Sequence, residues 1–185
     1  GLGGSSSDGP QGDRLDRYFE QLAAAPQQWA VQPSITVAII AEPGQDELLG
    51  ETLASVRRQL YPHWTVRVAA RGTAAARVPA MDRTEVVALP ARTSFAAATA
   101  AALDPVASDF ILELPVGDLL YPQGLLVLAR AIAEGQGRPG QSADLRSEPE
   151  IVYGDDRPIG PAGEPAGPPR LKPAAMPGYT PRRGT

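Results

Sequence analysis

Two adjacent carboxylates, Asp155 and Asp156, form the group in this sequence that most directly suggests chemistry. Neighbouring carboxylates can bind one divalent cation or share a proton. They follow the apolar segment IVYG, which predicts a short strand, so the alternative is a charged strand end that leads into a loop. Both interpretations stay open from the residues alone.

Composition excludes several other kinds of site. The chain of 185 residues has no cysteine, which excludes disulfides, thiolate metal sites and a cysteine nucleophile. Its one histidine, His63, is the only residue around which a Ser/His/Asp triad could be built. No glycine-rich G-x-x-x-x-G-K phosphate loop is present. The net charge of −4, without a basic cluster, predicts that nucleic acid is not a partner.

Alternating strands and helices must position whatever chemistry the chain has. The segment ITVAIIA over Ile35–Ala41 is a nearly continuous apolar run, typical of a strand buried on both faces. The whole pattern predicts an α/β fold with a mainly parallel central sheet and helices on both faces. Further strands are predicted at residues 65–70, 84–89, 109–114 and 150–153, and helices at residues 13–22, 46–60, 94–103 and 122–134, with Ser94 as a cap and Pro122 in a first turn.

The composition also divides the chain. Residues 1–12 are rich in Gly and Ser and predict a flexible segment, residues 13–156 predict the α/β domain, and residues 157–185 predict a Pro/Gly-rich irregular tail. No apolar run approaches the ~18 residues of a membrane span, and the amino terminus does not resemble a signal peptide. We therefore expect a cytoplasmic protein with no membrane span, for which work near the membrane face stays an option.

Ligands of parallel sheets bind beyond the carboxyl ends of the strands. This rule directs attention to the loops at residues 41–45, 70–74 and 115–118. Glu42 in the first loop could accept a hydrogen bond from a nucleobase or ribose, or it could be an exposed loop charge. Arg71 in the second could pair with a phosphate, or it could be a solvated surface charge.

Four segments follow one another along the chain: LASVRRQLYPHW, VGDLLYPQGL, IVYGDD and RLKP. Together they resemble the amino-terminal, nucleotide-sugar-binding half of family 2 glycosyltransferases, which have the GT-A fold. At His63 the family is variable, so we expect this side chain to be exposed. The residues that carry the match in the first two segments are Leu53, Ser55, Gln59, Tyr61, Pro62, Trp64, Asp118, Leu120, Pro122 and Leu125.

The resemblance implies a nucleotide-diphosphate sugar as donor, bound together with Mg²⁺ or Mn²⁺. The family's metal-binding acids align here with Pro115 and Gly117, and neither side chain can ligate a metal. Asp118 and Glu113 remain as candidate metal ligands. For Glu113 the alternative is a charged side chain at one edge of a strand.

The resemblance also implies where donor and acceptor would bind. The donor side would include Ala41, Glu42, Gly44, Arg71, Gly72 and Thr99, and the acceptor side would include Asp155, Asp156 and Lys172. In the family, the catalytic base and the acceptor-binding half follow the segment that matches Lys172, and nothing after Pro173 resembles them. No catalytic residue is therefore assigned.

These observations lead to three hypotheses about function. The first is a glycosyltransferase module, truncated or degenerate, that transfers sugar with inversion to a glycan or lipid-linked acceptor. The second is a non-catalytic scaffold or carbohydrate-binding module that retains the fold, with a protein partner that covers the sheet. The third is a divergent enzyme that uses Glu42, Glu113 and Asp118, and it requires Glu113 and Asp118 to point into one cleft.

Overall fold

The computed structural model describes residues 17, 20, 21, 24–136, 156–160 and 164–170, with backbone only at 134–136. The chain divides into two compact units, Gly1–Glu148 and Pro149–Thr185. The first unit contains the sheet and its helices. The predicted strand at residues 150–153 lies outside the described residues, as does most of the predicted helix at 13–22.

A parallel sheet of four strands forms the centre of the first unit. The strands are β1 (Ile35–Ala41), β2 (Trp64–Arg71), β3 (Thr84–Leu89) and β4 (Phe110–Glu113), in the spatial order β3-β2-β1-β4. All three pairings are parallel. The predicted α/β fold with a parallel sheet is therefore confirmed.

Two helices cover one face of this sheet. Helix α1 (Asp46–Arg57) follows β1, and helix α3 (Gly124–Gln136) follows β4. Alternate residues of β1 point towards both helices because side chains alternate between the faces of a strand. The core of this face includes Val37, Ile39, Leu49, Leu53, Val56, Val68, Leu125 and Leu126, all buried.

Helix α2 (Phe95–Leu103) packs against the other face, where Ala38, Ala69 and Ala102 form a smaller buried cluster. Its first turn begins as predicted, because Ser94 Oγ accepts a hydrogen bond from Ala97 N–H. Its carboxyl end is held by Arg67, a buried arginine in β2 that was not predicted as a structural residue. The Arg67 guanidinium donates hydrogen bonds to the carbonyl oxygens of Ala101, Asp104 and Pro105 and to the Glu85 carboxylate.

Two helix boundaries differ from the predicted positions. Helix α1 ends at Arg57 rather than at residue 60, and Leu60 N–H donates to Pro122 O of another segment at 2.8 Å. Helix α3 begins at Gly124, so Pro122 precedes the helix and does not lie in its first turn. Two 3₁₀ helices, Ala25–Gln28 and Gly72–Arg77, were not predicted.

The amino-terminal ends of β1 and β4 are joined by one carboxylate. Asp109 Oδ2 accepts hydrogen bonds from Ser34 N–H at 2.8 Å and from Ser34 Oγ at 2.7 Å. These bonds lower the pKa of Asp109 because they favour its charged form. None of the helices in the described part of the chain has the length and apolarity that crossing a membrane requires.

Candidate functional site

The four parallel strands end at the same edge of the sheet, so the loops that follow them are neighbours. The loop after β1 begins at Glu42, the loop after β2 begins at Gly72, and the loop after β3 begins at Pro90. The loop after β4 runs from Leu114 to the start of α3. This carboxyl edge is where a ligand of such a sheet is expected.

Gly72 is the point at which the first three loops meet. Its φ is +54°, a conformation that favours glycine. A Cβ at this position would lie 3.0 Å from Ala91 Cβ and 3.6 Å from Pro43 Cγ. A side chain at Gly72 would therefore require the loop that contains Ala91 to shift by a few tenths of an ångström, in addition to adopting a left-handed conformation. Gly44 also has a positive φ, +85°, but the space around it is open.

An ion pair joins the loop after β1 to the end of β2. Arg71 Nη1 donates to Glu42 Oε1, and Arg71 Nη2 donates to Ala91 O at 3.3 Å. The side chains are 20 % exposed for Arg71 and 34 % exposed for Glu42. The two residues that the sequence presented as separate candidates are thus each other's partner, and neither is a lone solvated charge.

Helix α1 holds the loop after β4 by side chains that bond to the loop's backbone. Thr52 Oγ1 accepts a hydrogen bond from Gly117 N–H at 2.9 Å, and Ser55 Oγ accepts one from Leu120 N–H at 3.1 Å. Both hydroxyl residues are buried. They hold the loop through its backbone, while the loop side chains Leu114, Val116 and Leu120 pack against the core.

Gln59 extends this attachment to the start of α3. Its Nε2 donates to Tyr121 O at 2.8 Å and to Ser55 O at 3.1 Å, and its Oε1 accepts from Leu125 N–H at 2.8 Å. The segments that carry the resemblance, LASVRRQLYPHW and VGDLLYPQGL, are therefore in direct contact. The sequence named Ser55 and Gln59 as part of a pattern but did not show what they bind. Thr52 was missed, although a hydroxyl residue within an apolar helix stripe is a signal for such a contact.

The candidate metal ligands Glu113 and Asp118 lie on successive segments at the carboxyl edge. Glu113 is the last residue of β4 and is opposite Ala38 in the register, so it lies on the face that α2 covers. Asp118 follows Gly117 in the loop that is held against α1. Both residues are exposed. Within the described ranges no group of three His, Cys, Asp or Glu residues could hold a metal ion.

Two other residues predicted for the donor side, Ala41 and Thr99, have partners within the fold. Ala41 is the buried last residue of β1 and pairs with Ala70. Thr99 lies in α2, where its hydroxyl donates to Phe95 O of the preceding turn at 3.0 Å. His63 is exposed as expected, and its Nε2 lies 2.6 Å from Gln32 Oε1.

The acceptor-side candidates belong to the second unit. Asp156 forms an isolated antiparallel bridge with Arg170, in which Arg170 N–H donates to Asp156 O at 2.7 Å. Their side chains also approach, with Arg170 Nη1 at 3.9 Å from Asp156 Oδ1. Asp155 and Lys172 lie outside the described residues.

Comparison with known proteins adds no assignment to this geometry. No protein-family model matches the chain, and no curated protein matches it. The resemblance to family 2 glycosyltransferases rests on the residues quoted above, and it stays a prediction.

Proposed function

We propose that this chain is a glycosyltransferase family 2-like domain whose carboxyl edge binds a nucleotide-diphosphate sugar for transfer to a glycan or lipid-linked acceptor. The observation that carries the proposal is the attachment of the loop after β4 to helix α1. The two segments in which the resemblance is strongest are far apart in the sequence, and they are joined by the side chains of Thr52, Ser55 and Gln59. An accidental match between two segments would not require them to contact each other.

The chemistry of the carboxyl edge also supports a diphosphate as ligand. Arg71 places a guanidinium group at the end of β2, beside the loops after β1 and β3. A guanidinium binds phosphate oxygens through two parallel N–H groups, and such charge-assisted bonds are about twice as strong as neutral ones. In this proposal Arg71 binds the diphosphate, and the loop that begins at Glu42 faces the nucleoside.

The proposal concerns donor binding and assigns no catalytic base. An inverting transfer needs a group that takes the proton of the acceptor hydroxyl. Neither Glu113 nor Asp118 is positioned together with Arg71 by any contact of the described residues. The proposal therefore gives these acids and a metal ion no role in a chemical step.

A second candidate function is a non-catalytic scaffold or carbohydrate-binding module with the same fold. Two features favour it: Pro115 and Gly117 stand where the family has acids, and Arg71 already has an intramolecular partner in Glu42. In that case a glycan or a protein partner, rather than a nucleotide sugar, would be the ligand. Binding to a panel of immobilised oligosaccharides tests the carbohydrate-binding form of this candidate.

Calorimetric titration with uridine and guanosine diphosphates, with and without Mn²⁺, tests the first proposal. We expect one of the two nucleotides to bind without metal and Arg71→Gln to weaken it about tenfold or more, since a hydrogen bond to a charged group contributes about 1.5–3 kcal/mol. Arg57→Gln, an exposed arginine at the end of α1, is the matched control and should leave the affinity unchanged. If neither nucleotide binds at millimolar concentration, donor binding is refuted and the non-catalytic function is favoured.

A further inference from the structure

Arg71 is incompletely satisfied in its present position. Its Nε–H is buried and has no hydrogen-bond partner among the described residues. Its bond from Nη2 to Ala91 O is long, at 3.3 Å. A buried donor without a partner costs free energy relative to an arrangement in which it is bonded. The present partners therefore do not fully satisfy the guanidinium, and replacing them costs less free energy than breaking a complete set of bonds.

Glu42 supplies its bond to Arg71 from a loop and not from the sheet. It lies one residue beyond β1, and its backbone is held in a turn in which Glu42 N–H donates to Gln45 Oε1 at 3.0 Å. Its side chain is about one third exposed. The carboxylate can thus rotate into solvent while the backbone turn stays in place, so breaking the ion pair requires no change in the sheet.

We propose that the Glu42–Arg71 ion pair is an autoinhibitory contact. In this contact the carboxylate occupies guanidinium N–H groups of Arg71 that would otherwise bind phosphate, until a diphosphate displaces it. This inference rests on the proposed function and names the regulation of the same site. A diphosphate carries more negative charge than a carboxylate and presents several oxygens to one guanidinium. Its oxygens can replace the carboxylate on Nη1 and also bond to Nη2, whose present bond to Ala91 O is 3.3 Å long.

In this scheme Glu42 does not need to contact the ligand. Its carboxylate competes with the diphosphate for Arg71. Removal of its charge should therefore tighten the binding of any diphosphate, whereas a residue that binds the ligand directly would weaken it when substituted. This opposite sign separates the autoinhibitory contact from a donor-site role for Glu42.

The test is calorimetry with inorganic pyrophosphate, without metal, on the full chain and three variants. Glu42→Gln should bind pyrophosphate about fivefold tighter than the unmodified chain, which is the upper range for a partly exposed ion pair. Glu47→Gln removes the same charge from an exposed position in the first turn of α1 and should change the affinity by less than about twofold. The double variant Glu42→Gln/Arg71→Gln should lose the gain.

Thermal melting first shows whether the variants are folded. If Glu42→Gln is not folded, Glu42→Ala takes its place. Equal or weaker pyrophosphate binding by Glu42→Gln overturns the autoinhibitory contact, and so does the absence of pyrophosphate binding in both proteins. A gain that survives in the double variant overturns it as well, because Arg71 would then not be the group released. Tighter binding of pyrophosphate without any binding of uridine or guanosine diphosphate supports the contact and contradicts the proposed function.

Discussion

Replacement of Gln59 by leucine is the most direct test of how the loop after β4 is held. The change keeps the approximate volume of the side chain and removes both of its hydrogen-bonding groups. It leaves Tyr121 O and Leu125 N–H without their side-chain partner, and Leu125 is fully buried. The magnitude follows from these two long-range bonds, because a typical intramolecular hydrogen bond contributes about 1 kcal/mol and a buried group left unpaired costs ~1–3 kcal/mol.

We expect Gln59→Leu to lower the free energy of unfolding by about 2–3 kcal/mol. For a chain of this size each kcal/mol lowers Tm by roughly 2–4 °C, so a shift of about 5–10 °C is expected. Chemical denaturation gives the free energy and calorimetry gives Tm. Gln28→Leu, at an exposed position of the first 3₁₀ helix, is the control for adding an apolar side chain.

A second variant separates the two bonds. Gln59→Glu retains an oxygen that can accept from Leu125 N–H but cannot donate to Tyr121 O when it is ionised. It should therefore be less stable than the unmodified chain, and acidification that protonates the carboxyl group should reduce the difference. If Gln59→Leu instead unfolds within about 0.5 kcal/mol of the unmodified chain, the usual range for surface substitutions, the loop is not held by this side chain.

Three further predictions concern the sheet and its edge. Gly72→Ala should lower stability by about 1–3 kcal/mol, measured by denaturation, since alanine would have to adopt a left-handed conformation with its Cβ in a tight contact, 3.0 Å from Ala91 Cβ. Arg67→Met should cost about 2–4 kcal/mol through the carbonyl groups it leaves unpaired, whereas Glu85→Gln should cost under ~1 kcal/mol because Glu85 is 62 % exposed; equal losses would contradict this. Asp109 has a pKa lowered from 3.8 by the bonds from Ser34, so its stabilisation is present above pH 4 and lost as pH falls through the lowered pKa. Asp109→Asn should remove that part of the pH dependence in acid melts, and an unchanged profile would contradict the assignment.

The sheet could be predicted from the sequence because its signals are local. Ile35–Ala41 and Thr84–Leu89 are strands with the predicted bounds. The apolar, β-branched run of Ile35–Ala41 indicates a buried strand without knowledge of its neighbours. Thr84–Leu89 is instead a largely exposed strand at the edge of the sheet. Ser94 could likewise be identified as a helix cap. Helix α1 ends earlier than its apolar spacing indicates: Gln59 N–H donates to Val56 O in a tighter turn, and Leu60 N–H donates to Pro122 O of another segment. No local pattern contains that information.

The candidate site could be predicted only as a list of residues. Their order along the chain placed Glu42, Arg71 and Gly72 at the carboxyl edge, and the structure places them there. The pairing of Glu42 with Arg71 could not be derived, because it depends on side-chain geometry between two loops.

The way in which α1 holds the loop after β4 accounts for the path of that loop. Thr52, Ser55 and Gln59 all bond to backbone groups of the loop or of the start of α3. These bonds use backbone groups of the loop, and the loop side chains Leu114, Val116 and Leu120 pack against the core. Gly117, with a φ of +97°, favours the turn. The path of the loop therefore rests on backbone hydrogen bonds and apolar contacts, and it requires no acidic side chain. Under the proposed function this attachment supports the fold of a donor-binding domain, and donor binding is to be tested at Arg71.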